Sequence, residues 1–271
     1  MGFMVLLAGC SRPADEVTQL RDASGIPIYT YEVVQAFPHD TRAFTQGLQV
    51  YDGILYESTG LHGESSLRRV DLETGRVEKR INLPRRYFGE GIAVVEDRIF
   101  MLTWQEQTGF IFDRHTFERI GDFSYEGEGW GLAFDGTHLI MSDGTPVLRF
   151  LDVETQEVVR TQEIRAGELP LRNINELAWI RGELWANIFM TDFIARIDIE
   201  QGKVIGWIDG TGILPREAIT GRVDVMNGIA YNVVESRIFV TGKLWPLLFE
   251  IRVVPKQAAV QSPATELVCA A

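Results

Sequence analysis

The chain is poor in the residues that build metal and redox sites. It has two cysteines, Cys10 and Cys269, near opposite ends, and four histidines, His39, His62, His115 and His138, with no ligand spacing among them. A zinc cluster, a catalytic zinc and a CxxC redox pair are therefore not expected. Positive charge is also short. Twenty-six Lys+Arg against 38 Asp+Glu leave a formal charge of −12, the wrong sign for a partner made of phosphates, so no nucleic acid is expected. No run of 18 apolar residues is long enough for a membrane-spanning helix. What the chain does have is a core: 45% of its 271 residues are apolar and spread evenly, which excludes disorder. Twenty-six glycines imply many turns, and an all-β fold is the first expectation.

The ends depart from this pattern. Residues 1–10, MGFMVLLAGC, are an apolar segment ending in LAGC. Small residues before a cysteine resemble the lipobox of bacterial lipoproteins, although the basic stretch that usually precedes it is absent. Cys10 is the expected lipidation site, with an exported, periplasmic location and a lipid anchor as the only membrane contact. Residues 11–27 read as a polar tether, 28–254 as one domain, and 255–271 as a flexible tail.

Residues 28–254 are a repeat. Apolar strands begin at Gly47-Leu48, Gly91-Ile92, Gly131-Leu132, Glu176-Leu177 and Gly228-Ile229, at spacings of 44, 40, 45 and 52 residues. Each unit then places an acidic residue at the close of an alternating strand: Asp71, Asp113, Asp152, Asp198 and Glu250, offset by 24, 22, 21, 22 and 22. Tight-turn pairs such as Asp52-Gly53, Asp135-Gly136 and Arg181-Gly182 separate the first two strands of a unit. Four strands in about 40–45 residues is the length of a propeller blade. The reading is a five-bladed β-propeller with four antiparallel strands per blade. The last unit supplies only three strands, and Ile28 to Phe37 completes it as the fourth, closing the ring without a free edge.

Such a ring gathers the residues before each inner strand at one mouth. Glu90, Gln46, Asn175, Asn227 and Trp130 arrive there, and the loops after the second strands add Trp104, Asp143, Phe189 and Lys243. Aromatic walls with a few convergent polar groups describe a small-molecule pocket. Singly, each residue has a plainer role: a solvated turn carboxylate, packing tryptophans, amides that satisfy strand ends. Trp179, Trp185 and Trp207 alternate inward and read as core. A monomer is expected.

The strings FTQGL (44–48), YESTG (56–60), FGEGI (88–92), LTW (102–104), GWGL (129–132), SDGT (142–145), INEL (174–177), WANI (185–188) and VTGKLWP (240–246) resemble the glutaminyl-peptide cyclotransferases of plant and bacterial type. These are five-bladed propellers unrelated to the zinc-dependent animal enzymes. The resemblance implies peptides with N-terminal glutamine as substrates, pyroglutamate and ammonia as products, and no cofactor for catalysis. Carried over by motif, Glu90 is the acid/base, and Phe44, Gln46, Trp104, Trp130, Asn175 and Lys243 line the site. Phe189 stands where the plant proteins carry tryptophan, keeping an aromatic wall but losing an indole donor. Lys243, an indole N–H or the Asn175 amide would supply oxyanion donors.

Two rivals share this geometry. A calcium-dependent lactonase or hydrolase would use oxygens from Glu90, Asn175, Asn227 and Asp143, and these would also tolerate a structural calcium. A non-catalytic peptide-binding propeller would keep the aromatic mouth and release no ammonia.

Overall fold

The computed structural model describes residues 19–257. Cys10, the LAGC string, the first part of the expected tether and nearly all of the expected tail lie outside them. The only helical element among the described residues is a single 3-10 turn at Arg216–Ala218; the rest is strand and loop.

The first strand, β1 (Ile28–Pro38), is followed by three separate sheets of four antiparallel strands. The first holds β2 (Thr45–Tyr51), β3 (Ile54–Thr59), β4 (Ser66–Val70) and β5 (Val77–Asn82). The second holds β6 (Gly89–Val95), β7 (Arg98–Thr103), β8 (Thr108–Asp113) and β9 (Arg119–Ser124). The third holds β10 (Leu132–Phe134), β11 (His138–Met141), β12 (Val147–Asp152) and β13 (Val158–Glu163). A short hairpin follows, β14 (Arg165–Ala166) and β15 (Leu169–Pro170).

The remaining strands form one larger sheet. β16 (Ile174–Ile180), β17 (Glu183–Ile188), β18 (Phe193–Asp198) and β19 (Lys203–Asp209) lie on one side. β20 (Met226–Asn232), β21 (Arg237–Gly242) and β22 (Leu247–Pro255) lie on the other. β1 lies between them. It pairs antiparallel with β22 from Tyr29↔Pro255 to Pro38↔Leu247, the closure expected of the N-terminal strand. Its first residues also pair in parallel with β19, at Ile28↔Trp207 and Tyr29↔Ile208. The blade repeat predicts separate sheets here. The merger arises because the first residues of β1 lie between the end of β22 and β19 and pair with both. Residues 19–27 continue this packing: Gln19 bridges Gln257, Asp22 accepts from the Trp207 indole at 2.9 Å, and Ile26 is buried.

The innermost strands touch in a closed cycle: β2 with β6, β6 with β10, β10 with β16, β16 with β20, and β20 with β2. Glycine explains how close they come. A Cβ on Gly91 would stand 2.5 Å from the Leu132 nitrogen, and one on Gly131 would stand 2.0 Å from the Asn175 oxygen. Only glycine lets backbone meet backbone there. The repeating acids have a different task. Asp71, Asp113, Asp152 and Asp198 accept hydrogen bonds from the backbone N–H two or three residues on, capping the turn between the third and fourth strands. Glu250 instead pairs with Arg237 at 2.8 Å. Trp185 is buried, while Trp179 and Trp207 are half-buried against a core cluster.

Candidate active site

Four inner strands carry a β-bulge at the same point. The register slips between Thr45 and Gly47, Gly89 and Ile92, Ile174 and Leu177, and Met226 and Ile229. The residues left out of the pairing are Gln46, Glu90-Gly91, Asn175-Glu176 and Asn227-Gly228. A bulge turns its extra residue off the ladder, so the repeat gathers these side chains from four strands at one end of the cycle.

Glu90 is the centre of this set. It is 5% exposed and accepts a hydrogen bond from Gln46 Nε2 at 3.1 Å. Its backbone carbonyl is held by Ser58 Oγ at 2.6 Å. Burial pushes its pKa well above the usual carboxylate range; the charge of Lys243 pulls the other way, and Glu128 and Glu106 add to the rise. Lys243 is 4% exposed, and burial lowers its pKa although Glu90 and Asp224 oppose that. Gln46 Oε1 is buried without a hydrogen-bond partner. Asn175 is buried, its carbonyl fixed by Ser142 Oγ at 2.7 Å.

The second-strand loops bring the walls. In three of them a residue of the expected mouth immediately precedes a residue with φ between 63° and 79°: Asp143-Gly144, Phe189-Met190 and Lys243-Leu244. That left-handed step reverses the chain just after the residue presented to the mouth. Phe44, Phe88, Trp104, Trp130 and Phe189 are all half-buried, which leaves a face of each ring available.

These rings form a circuit. Phe44 meets Phe88 edge-on at 6.2 Å, Phe88 meets Trp104 at 5.6 Å, and Trp130 meets Phe189 at 5.6 Å. Two charges complete it. Lys243 Nζ lies 4.9 Å from the Phe44 ring centre and 5.3 Å from that of Phe189. Glu128 Oε2 accepts from the indole N–H of Trp104 at 2.7 Å and of Trp130 at 2.9 Å. Burial works against the charge on Glu128, but donors from Gln105, Trp130 and Trp104 hold its pKa below the ordinary value. Both indole N–H groups are thus taken, which overturns the expectation that one of them serves as an oxyanion donor.

Every expected lining residue therefore reaches the same end of the molecule, and Phe189 joins through its contact with Lys243. The sequence patterns do not mark Glu128 as a site residue, although the GWGL string begins beside it; Trp130 is two residues on, but its other partners, Trp104 and Gln105, come from another loop. Other carboxylates of the expected mouth are engaged elsewhere. Glu57 bonds His39 at 2.9 Å and Thr45 at 2.8 Å, and Glu176 accepts backbone N–H groups from Leu48 and Ile229. Asp143 pairs with Arg149 at 2.9 Å, and Asn227 donates to the Thr45 carbonyl. Among the described residues no group of three or more His, Cys, Asp or Glu side chains is arranged to hold a metal. A cavity of about 370 Å³ at the far end of the inner strands is lined by Tyr51, Phe134, Trp179 and Tyr231 and contains none of the site residues.

The comparisons with known proteins cover the same span. The family model described as glutamine cyclotransferase matches residues 3–253. A glutaminyl-peptide cyclotransferase of Arabidopsis thaliana is 43% identical over 236 residues, covering 85% of this chain and 73% of the relative. The crystal structure of Myxococcus xanthus glutaminyl cyclase is similar with a TM-score of 0.78 and 34% identity, covering 85% of this chain and 98% of that one.

Proposed function

The chain belongs to the glutamine cyclotransferase family and is a glutaminyl-peptide cyclotransferase, and from that premise we propose that Glu90 moves the protons of lactam closure. The α-amine of an N-terminal glutamine attacks the carbon of its own γ-carboxamide. A C–N bond forms, the former amide nitrogen departs as ammonia, and a five-membered lactam remains. Nucleophile and electrophile belong to one residue, so the site must fold the side chain back between its aromatic walls.

Glu90 accepts a proton from the attacking amine and returns it to the leaving nitrogen. A buried carboxyl with a raised pKa suits both acts, because the free amine has a pKa of about 7.7–8.0. The unpartnered Gln46 Oε1 accepts an N–H of the substrate beside it. Lys243 and the Asn175 amide stabilise the oxyanion. The observation that carries this reading is the buried carboxylate of Glu90, bonded to Gln46 and facing Lys243. Such chemistry calls for no metal, in contrast to a calcium-dependent hydrolase.

Glu90→Gln keeps the shape and removes the proton carrier. Its turnover should fall about a hundredfold to ten-thousandfold, with little change in Tm. The assay is ammonia release with the matching mass loss from a Gln-initiated peptide, run with and without excess EDTA. Near-parental turnover by the variant would remove Glu90 from the mechanism, and loss of parental turnover on chelation would favour the hydrolase class.

Two coarser features extend to finer proposals. The closed cycle of five inner strands supports five blades, with the ten-stranded sheet counted as two blades joined through β1. The LAGC string supports export with a lipid on Cys10. A chain cut back to residue 19 should then leave the membrane fraction; if the uncut chain is already soluble in cells, the anchor is wrong.

A further inference from the structure

We propose that Glu128 is the positioning residue that closes the aromatic wall, one carboxylate oxygen fixing the edges of both Trp104 and Trp130 so that the glutamine side chain enters a slot of set width. The proposal rests on the reading that Glu90 acts between these walls.

Half-buried indoles have freedom to turn about their side-chain bonds. Each has a phenylalanine packed edge-on against it, Phe88 on Trp104 and Phe189 on Trp130. Edge-on packing restrains a ring weakly, whereas an N–H bonded to a carboxylate fixes its direction. Glu128 supplies that bond to both rings at once.

The anchor is itself held on every side. Its Oε1 accepts from Gln105 Nε2 at 3.0 Å, and its backbone carbonyl accepts from Arg149 at 3.1 Å. The next residue, Gly129, donates to the Trp104 carbonyl at 2.9 Å. A Cβ on Gly129 would stand 2.6 Å from Tyr125 Oη and 2.7 Å from the Thr103 oxygen, so this segment is pressed against the second sheet. Lys243 joins Phe44 to Phe189 through its charge, and Glu128 joins Trp104 to Trp130. A cation and an anion thus key one ring of aromatics.

Its charge has a second effect. The charged and titratable groups facing Glu90 are Lys243 after β21, Glu106 after β7, Glu128 before β10, and the neutral Tyr125. Of these, Glu128 and Glu106 favour the protonated form of Glu90.

Two variants separate anchoring from charge. Glu128→Gln loses the charge and offers the indoles an amide of mixed polarity. Glu128→Asp keeps the charge but is too short to reach both rings. In each, KM for a Gln-initiated peptide should rise about tenfold to hundredfold, as expected for losing hydrogen bonds to a charged group, while kcat changes less. Tryptophan emission of the free protein should shift in both. The acid limb of the pH–rate profile should move to lower pH in Glu128→Gln only. Parental KM and emission in Glu128→Gln would overturn the proposal, as would a fall in kcat with KM unchanged. If Glu128→Gln does not fold, Glu128→Asp carries the KM and emission tests alone. A dead Glu90→Gln beside parental Glu128 variants would sink this proposal only, whereas an active Glu90→Gln would sink the reading beneath it.

Discussion

His39 carries an electrostatic argument independent of the chemistry. Its Nδ1 faces the Trp245 carbonyl at 2.8 Å and its Nε2 faces Glu57 Oε1 at 2.9 Å. Both partners are acceptors, so both contacts are satisfied only when the ring is doubly protonated and positive. Burial opposes that charge, but the contact with Glu57 raises the histidine pKa above 6.5. Burial equally opposes the charge of Glu57, and His39 and Arg68 hold its pKa below 4.5. The signs set a window. A depressed carboxylate stabilises above its unfolded value and loses that contribution as pH falls through its folded pKa. A raised histidine stabilises below its unfolded value and loses it as pH rises through its folded pKa. The pair should therefore contribute most between pH 4.5 and 6.5. His39→Ala leaves the buried Glu57 with only Arg68 and Thr45 as partners and should cost roughly 1.5–3 kcal/mol. Urea denaturation across pH checks both; a variant whose loss is the same at every pH would contradict the ion-pair account.

Among the strands, the bulge and its glycine act together. Gly91 follows Glu90, and its N–H donates to the Trp130 carbonyl at 2.7 Å. A methyl there meets backbone on the neighbouring strand, which cannot give way. Gly91→Ala should cost roughly 3 kcal/mol and reduce turnover by displacing Glu90. Gly121→Ala meets only the Ile111 side chain, at 3.4 Å, and should be nearly silent; equal stability losses in urea would refute the close-approach argument. This explains why so much of the repeat was legible. Gly-Leu recurs because inner strands touch, Asp recurs because it caps turns, and Glu90 and Gln46 sit at a fixed phase to both. The aromatic circuit was less legible. Glu128 and Trp104 come from different loops, and their bond follows from how two sheets lie together rather than from any spacing. The β1–β19 joint was hidden for the same reason, since a parallel contact of two residues leaves no periodic mark.

For the whole molecule, β1 is the closing element. It covers the edge of β22 along nine registered pairs, and Phe37 near its end is buried at 1% exposure. A chain cut back to residue 19 keeps this strand and should melt like the parent. Cutting back to residue 37 exposes both β22 and β19, and should abolish the cooperative thermal transition. A calorimetric scan of the two truncations decides; a shorter chain that melts like the longer one would mean that the ring closes without β1.

The direction of β22 places both ends of the described chain away from the aromatic mouth. β22 starts beside the loop that carries Lys243 and runs nine residues away from it, about 30 Å at the rise of an extended strand. Gln19 and Gln257 meet at that remote end. A sensor chip or a carrier coupled directly at either residue would lie on the side away from the mouth. The aromatic mouth looks outward, and an approaching peptide terminus does not have to pass between enzyme and support.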